Sequence, residues 1–521
     1  MQHFIQKHRA VVTGCLSGFD RLVLRGTLRQ LCHVSGMLTY LAMAKVLLKD
    51  FGTHAEKMSQ MLKQASLAVV LGAGRPVHYL ESSRVRKEPI AKAIMQRDGI
   101  VHGPICTLTC LEPCASVQIY RNRETKRLEL RPRTRKCLHL YHYFIHPVFG
   151  FMHARIQTWF PFSIQICLNG REWLARQMDQ VGLGYQRKDN AFIWLKDEQQ
   201  AQRLMNEQVA AHWPKLLNPI AERLNPAHEK MFADFAAPYY WSVHQSEWAT
   251  DIMFKSSKAL ARIYPQLVQH SIRTFQSPDV MRFLGHPVPC HGNVHRKFAG
   301  EVTSDLKDRP EGVRIKHRTG KNSVKLYDKH GCILRAECTL NDPHPFRVYR
   351  RPEGRPNAQR SWRPLRRGIA DIKRRAEVSH KATERYLEAQ ASVSCDQPLG
   401  RLTEPLCQPT RLNGQRVRGL NPFRKDDLDL LAAISAAEFC IHGVRNRDLR
   451  HRLYGLSDDK TLDRRHSAQV TRKLRLLRAH GLIRKVPKSH RYLVTTKGRT
   501  ALTALLAARN ASTEQLTQMA A

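Results

Sequence analysis

The chain has 521 residues, too many for one ordinary core, so two or three domains and a large buried interior are expected. Its 86 Lys and Arg against 44 Asp and Glu give a formal charge of +42, with Arg spread along the whole length, and the natural partner of such a chain is a polyanion bound through counterion release. No apolar run of about 18 residues and no export-signal pattern in MQHFIQKHRAVVTG is present. The expectation is therefore a cytoplasmic protein with no membrane partner.

The 13 cysteines are scattered without paired spacing and read as reduced thiols. Cys106, Cys110 and Cys114 make a C-x3-C-x3-C run ahead of Cys137 and His139, but structural zinc wants two pairs at closer spacing, so these read as small buried hydrophobes.

In chain order, residues 36–52 and 54–71 carry helical periodicity. KCLHLYHYF (136–144), GFMHARIQTWF (150–160) and FSIQICLNG (162–170) are rich in aromatic and β-branched residues, and read as strands. Helices are expected again over 171–180 and 196–224, and the chain to about residue 285 reads as mixed and mostly helical. From 311 the pattern changes. GVRIKHR, NSVKLYDK and CILRAECTL each alternate and are joined by Gly-containing turns, which predicts a three-stranded antiparallel meander. Period two puts Val313, Ile315, Val324, Leu326, Cys332, Leu334, Ala336, Cys338 and Leu340 on apolar faces. Arg314, Lys316, Arg318, Lys325, Tyr327, Lys329, Arg335, Glu337 and Thr339 fall opposite.

Residues 346–390 form an Arg-rich segment whose prolines forbid a continuous helix in its first half, while the second half suits a basic helix. Residues 391–424 are rich in Pro, Gly and polar side chains, and read as a linker between a body (1–345) and a C-terminal module (425–510). That module reads as helix, helix, helix, hairpin, helix, with acidic residues at the start of the first helix and Gly481 closing the third. The element order and the phrase LLRAHGLIRKVPKSHRYLVTTKGR resemble the winged-helix family. The resemblance implies that Arg464, Arg465, Gln469, Arg472, Lys473 and Arg475 on the third helix face DNA, with Lys485, Lys488, His490 and Arg491 on the wing. Val470, Leu474, Leu477 and Leu482 are the expected core of the module.

Three features upstream invite catalytic chemistry. NSVKLYDKHGCILRAECTL resembles a strand pair of rolling-circle replication initiators, which nick single-stranded DNA with a tyrosine and a metal ion; this implies Tyr327 as nucleophile, with Lys325 and Lys329 stabilising phosphate. Those initiators use a His-apolar-His pair that this chain lacks, and His139 and His142, three apart on a strand, point to opposite faces. Glu247 and Asp251, four apart beside His244, lie on one side of either a helix or a strand, and with Glu337 form the expected set for Mg2+ or Mn2+. Packing accounts for each residue taken alone: a strand tyrosine, a Glu337 paired with a neighbouring Lys or Arg, a core histidine. No GxxxxGK[ST] loop and no KxDG motif is present, so ATP-driven work is not expected. HPVFGFMHARI bears a weak likeness to the stacking strand of RNA-recognition domains. The part ahead of the linker also resembles a family of bacterial proteins to which no activity is attached.

The resulting expectation is an α+β body containing an antiparallel β-meander, followed by a C-terminal winged helix-turn-helix. The function expected is DNA binding of mobile-element or replication type, with metal-dependent nicking by Tyr327. The alternatives are a non-enzymatic winged-helix regulator and an RNA-binding protein.

Overall fold

The computed structural model describes residues 1–286, 301–308, 313–391 except 353 and 356, and 399–512 except 437, 438, 440–442 and 488. Its central strand, β1 (Val12–Leu28), is an element that periodicity alone does not reveal. Leu16, Phe19, Leu22, Val23 and Leu24 are all buried, on both sides of the pleat, so no alternation marks the strand. Gly18 sits where a Cβ would run into the Met205 side chain, which lets the helix Glu198–Ala210 lie directly on β1.

The chain continues through β2 (Val77–Tyr79), β3 (Gly103–Arg121), β4 (Leu128–His146), β5 (Gly150–Gln157) and β6 (Ile164–Asn169). After a small hairpin of β7 (Tyr185–Lys188) and β8 (Ala191–Leu195) come β9 (Tyr239–Phe254), β10 (Val302–Lys307), β11 (Arg314–Thr319), β12 (Asn322–Lys329) and β13 (Ile333–Leu340). Among the described residues these make an eleven-stranded sheet of order β10-β11-β12-β13-β9-β1-β6-β5-β4-β3-β2, antiparallel except for the β2–β3 pair. The protein is therefore a mixed α+β molecule built on one large, mostly antiparallel sheet. The expected meander is β11 to β13, the expected strands of 136–170 are β4 to β6, and both belong to the same sheet.

The two faces of the sheet differ in kind. One is apolar: Ile315, Val324, Leu326, Leu334, Ala336 and Cys338 pack beneath Ala382, Tyr386, Leu387 and Ala391 of the helix Ile372–Ala391. That helix comes from the Arg-rich segment, so its residues are part of the body. Across β1, β5 and β6 the same face packs Leu22, Leu24, Ala154, Ile156, Ile164, Ile166 and Leu168 against aromatic residues such as Phe149, Phe160 and Trp213. The other face is apolar over β3 and β4, where Leu108, Tyr141 and Tyr143 pack on Ala91 and Ile94 of the helix Lys87–Arg97, and polar from β9 to β12. Direct pairing puts Lys316 opposite Lys325, Lys325 opposite Glu337, Thr339 opposite Glu247 and Glu247 opposite Arg21, so the charged residues expected to share one side of the meander do so.

At the C-terminal end, the helices Lys425–Ile434, Asn446–Tyr454, Lys460–Ala479 and Thr496–Asn510 surround a three-stranded sheet of Val444–Arg445, Arg491–Val494 and Ile483–Lys485. Val470, Leu474, Leu477 and Leu482 are buried in its core as expected, and Gly481 ends the long helix at φ +69°. Residues 399–424, expected to be a linker, are not a free tether. Leu406 and Leu420 join this core, and Arg418 forms a bidentate pair with the buried Asp427.

The entry to the helix Gly170–Gln180 is the tightest joint in the body, because a Cβ on Gly170 would collide with the carbonyl of Phe19. Gly170→Ala is expected to destabilise the chain by about 1–3 kcal/mol, measured as a lower urea midpoint with an unchanged slope.

Candidate functional site

The site lies where β1, β9 and β13 meet on the polar face. The β1–β9 register shifts between Phe19 and Arg21: Phe19 pairs with Trp248 and Arg21 with Glu247, leaving Asp20 as an extra residue. Such a bulge re-aims a side chain, and here it sets both Asp20 and Arg21 across from Glu247. Glu337, on the neighbouring strand, completes a group in which Asp20, Glu247 and Glu337 each offer a carboxylate oxygen within 4.8 Å of the others. Oxygens on opposite sides of one Mg2+ stand about 4.2 Å apart, so three hard oxygen donors at this spacing need only small side-chain adjustments to share a cation. Asp20 and Glu337 are buried and Glu247 is half-buried.

Cations surround the group. Lys325 Nζ lies 2.5 Å from Glu337 Oε1, and the Tyr327 hydroxyl donates to Glu337 Oε2 at 2.8 Å. Burial, the largest influence, pushes the Glu337 carboxyl up, but Lys325, Arg335 and the Tyr327 hydrogen bond outweigh it and hold the group below the usual glutamate range. Glu247 goes the other way: burial and then the Glu337 charge raise its pKa. Two neighbouring carboxyls pushed apart in this way form a pair that prefers one proton or one added cation.

Beside the cluster, on the same face of the sheet, lies a buried ion network. Arg335 Nε donates to Asp251 Oδ1 at 2.5 Å, Nη2 to Asp251 Oδ2 at 2.7 Å and Nη1 to Asp20 Oδ1 at 3.1 Å. Arg171 Nη2 reaches Asp251 Oδ2 at 3.0 Å. Both guanidinium groups are fully buried. The β7–β8 hairpin closes the network from above. Its two-residue turn places Asp189 at φ +50°, left-handed backbone that Asp tolerates, and carries Asn190 over Asp20, to which its amide donates at 2.9 and 3.0 Å. Lys329 donates to the Asn190 side-chain oxygen, and Arg335 Nη2 to its backbone carbonyl at 2.8 Å.

Of the expected metal set, the structure brings together Glu247 and Glu337. Glu247 and Asp251 do lie on one side of a strand, but Asp251 is held by Arg335 and Arg171, and Asp20 takes its place in the cluster. Tyr327, expected as the nucleophile, lies at the edge of this group. Burial and the Glu337 charge raise its phenol well above its ordinary pKa, and its proton is committed to Glu337, so it positions that carboxylate. Lys325 pairs with Glu337 and Lys329 with Asn190, both beside the cluster. Arg314 and Lys316 line the adjoining strand, Arg314 reaching Asp305 at 3.5 Å. His139 and His142 do face opposite ways. His142 is bound between Ser66 and Thr107, and His139 to the Cys137 carbonyl. His244 lies on β9 beside Arg25 and Arg367.

In the C-terminal part, Arg464, Arg465, Arg472 and Arg475 are exposed along one helix, with Gln469 and Lys473 half-buried. Lys473 donates to the Asp426 carbonyl at 3.3 Å and Arg475 to Gln415. Lys485, His490 and Arg491 lie on or beside the terminal hairpin, and Lys488 falls outside the described residues. Arg416, Arg418, Arg472, Lys473 and Arg475 line a notch of about 260 Å³. Three of its lining residues, Arg416, Val417 and Arg418, lie in the stretch expected to be a linker, so no local pattern discloses it.

The chain matches no protein-family model, and neither curated proteins nor solved structures give a match. Among the described residues, no helix is long and apolar enough to cross a membrane.

The raised Glu247 carboxyl carries a pH signature. Because its folded pKa lies above the unfolded value of about 4.3, the stability it contributes is complete below that value and is lost as pH rises through the folded pKa. Glu247→Gln is expected to keep this stability at neutral pH and to melt above the wild type there, with the gap closing in acid. Thermal melts across pH without divalent cation measure it.

Proposed function

We propose that the chain is a DNA-binding protein of mobile-element or replication type that cleaves a phosphodiester with Mg2+ or Mn2+ held by Asp20, Glu247 and Glu337. The observation that carries this reading is the convergence of those three carboxylates at the centre of a protein whose formal charge is +42. Acidic side chains are the minority here, and gathering three of them in a partly buried place has an electrostatic cost that a bound cation offsets. The cation, when bound, neutralises charge growing on the phosphate. Arg21 and Lys325 stand beside the cluster to meet phosphate oxygens, and Tyr327 fixes Glu337. Water is the nucleophile in this reading: its oxygen adds to phosphorus as the sugar oxygen leaves and takes up a proton.

The C-terminal element order supports the winged-helix reading, with Lys460–Ala479 as the helix entering the major groove. Its exposed Arg464, Arg465, Arg472 and Arg475 suit base edges and phosphates, and the cationic notch beside them suits a phosphate group. On the body, Arg314, Lys316 and Arg318 extend the positive surface away from the carboxylates.

Supercoiled DNA should be nicked in Mg2+ or Mn2+ and not in chelator, and Asp20→Asn or Glu337→Gln should lower the rate by about 100-fold or more. Tyr327→Phe should leave no covalent adduct to lose and should retain cleavage at a reduced rate. Tight, salt-sensitive binding without cleavage would instead favour the regulator reading. Replacing Arg472 and Arg475 by Ala together should weaken duplex binding and reduce its salt slope by about 1 per lost phosphate contact, measured by titration at several salt concentrations.

A further inference from the structure

The Arg-rich stretch after β13 takes no part in the carboxylate site, yet it builds a surface of distinct chemistry. Strands β14 (Arg347–Arg350) and β15 (Ser361–Pro364) form a two-stranded ribbon in which Tyr349 pairs with Trp362. Alternation turns Val348 inward against Leu340, Phe346 and Leu365. Arg350 is also turned inward and donates to the Pro364 carbonyl at 3.2 Å. The outer face keeps Tyr349 55% and Trp362 68% exposed, their ring centroids 5.7 Å apart. Arg347, Arg355 and Arg360 are exposed on or near the same ribbon.

Two large rings held side by side in water cost hydrophobic free energy unless something covers them. The covering partner must suit a patch that is aromatic and cationic. Among described residues 313–391, Tyr349 and Trp362 are the exposed large hydrophobic side chains, and neither is aliphatic. Flat rings beside guanidinium groups match a base and the phosphate attached to it. Bases within a duplex are already stacked, so only unpaired ones can reach the rings.

The ribbon is also fastened to the strands that carry the carboxylates. Its underside rests on Leu340, at the end of the strand bearing Glu337 and on the helix-covered face of that strand. The chain leaving it pairs with β9, Val243 N donating to the Arg367 carbonyl at 2.7 Å and Ser242 bridging Gly368, a few residues from Glu247. Asp371, fully buried, locks the return by accepting from Arg366 at 3.0 and 3.2 Å and from Arg374 at 3.0 Å.

We propose that the Tyr349–Trp362 ribbon is a stacking platform for unpaired bases, holding single-stranded nucleic acid beside the end of β13. This rests on the nucleic-acid reading of the carboxylate site and adds the form of the substrate.

The test is anisotropy of a labelled oligothymidylate of about 12 nucleotides bound by the full-length protein in chelator, so that cleavage plays no part. Trp362→Ala and Tyr349→Ala should each weaken binding by about 10-fold, whereas Trp362→Phe and Tyr349→Phe stay close to the wild type. A strand of equal length lacking bases should bind wild type and Trp362→Ala alike, and duplex binding should not change. Unchanged oligothymidylate binding by Trp362→Ala overturns the proposal, as does an equal loss of affinity for the base-free strand. Sedimentation gives a further check: a dimeric wild type made monomeric by Trp362→Ala, with oligothymidylate affinity intact, would mark the rings as a contact between copies of the chain and reject the platform.

Discussion

Arg335 is the residue on which the centre of the molecule turns. It sits fully buried on the polar face of the sheet and is answered by Asp251 through two bonds and by Asp20 through a third. Burial favours loss of its charge, but Asp251 and Asp20 more than offset this and hold the guanidinium firmly protonated. Removing one partner of such a pair typically costs about 3–5 kcal/mol, because the remaining charge is stranded away from water. The network therefore fixes the relative positions of β1, β9 and β13, and with them the three carboxylates beside it. Asp20 belongs to both groups, accepting from Arg335 and Asn190 while facing Glu247. A change in the buried network reaches the cluster through Asp20 and through the Arg335 charge acting on Glu337.

The polarity of the sheet follows the same logic. One face is closed by helices over aliphatic and aromatic side chains; the other, from β9 to β12, holds charges whose pairing depends on register. Lys325 meets Glu337 because β12 and β13 are a tight hairpin, and Glu247 meets Arg21 because a bulge resets β1. A one-residue slip in either pairing would turn these charges into the apolar core, so the hydrophobic face and the candidate site specify each other.

How much of this the sequence discloses depends on the range over which each feature is encoded. The β11–β13 meander was legible because it is local: each strand alternates and each turn contains Gly. Its charged face, including Lys325, Tyr327 and Glu337, was read correctly for the same reason. β1 was hidden because it is buried on both sides and interrupted by Gly14, Gly18 and Gly26, so period two vanishes. Asp20 was missed with it, since a bulge is a relation between two strands more than 200 positions apart and no local spacing records it. The same-side rule sets Asp251 beside Glu247 but does not name its partner, which is Arg335. The stretch 399–424 was read as linker from its Pro, Gly and polar content, yet Leu406, Leu420 and the Arg418–Asp427 pair bind it to the C-terminal core.

The pairing of β1 with β9 also sets an order of events during synthesis. β1 is made first, but β6 follows it by more than 130 residues, β9 by more than 200 and Arg335 by more than 300. At about 5–20 residues per second, the central strand waits on the order of ten seconds or more for its second neighbour and longer for the cation that closes the buried network. During that interval it presents unpaired backbone and apolar side chains on both faces, the kind of surface that chaperones recognise and that aggregation exploits. The long separation that places the carboxylates on adjacent strands also makes the site one of the last parts of the sheet that can assemble.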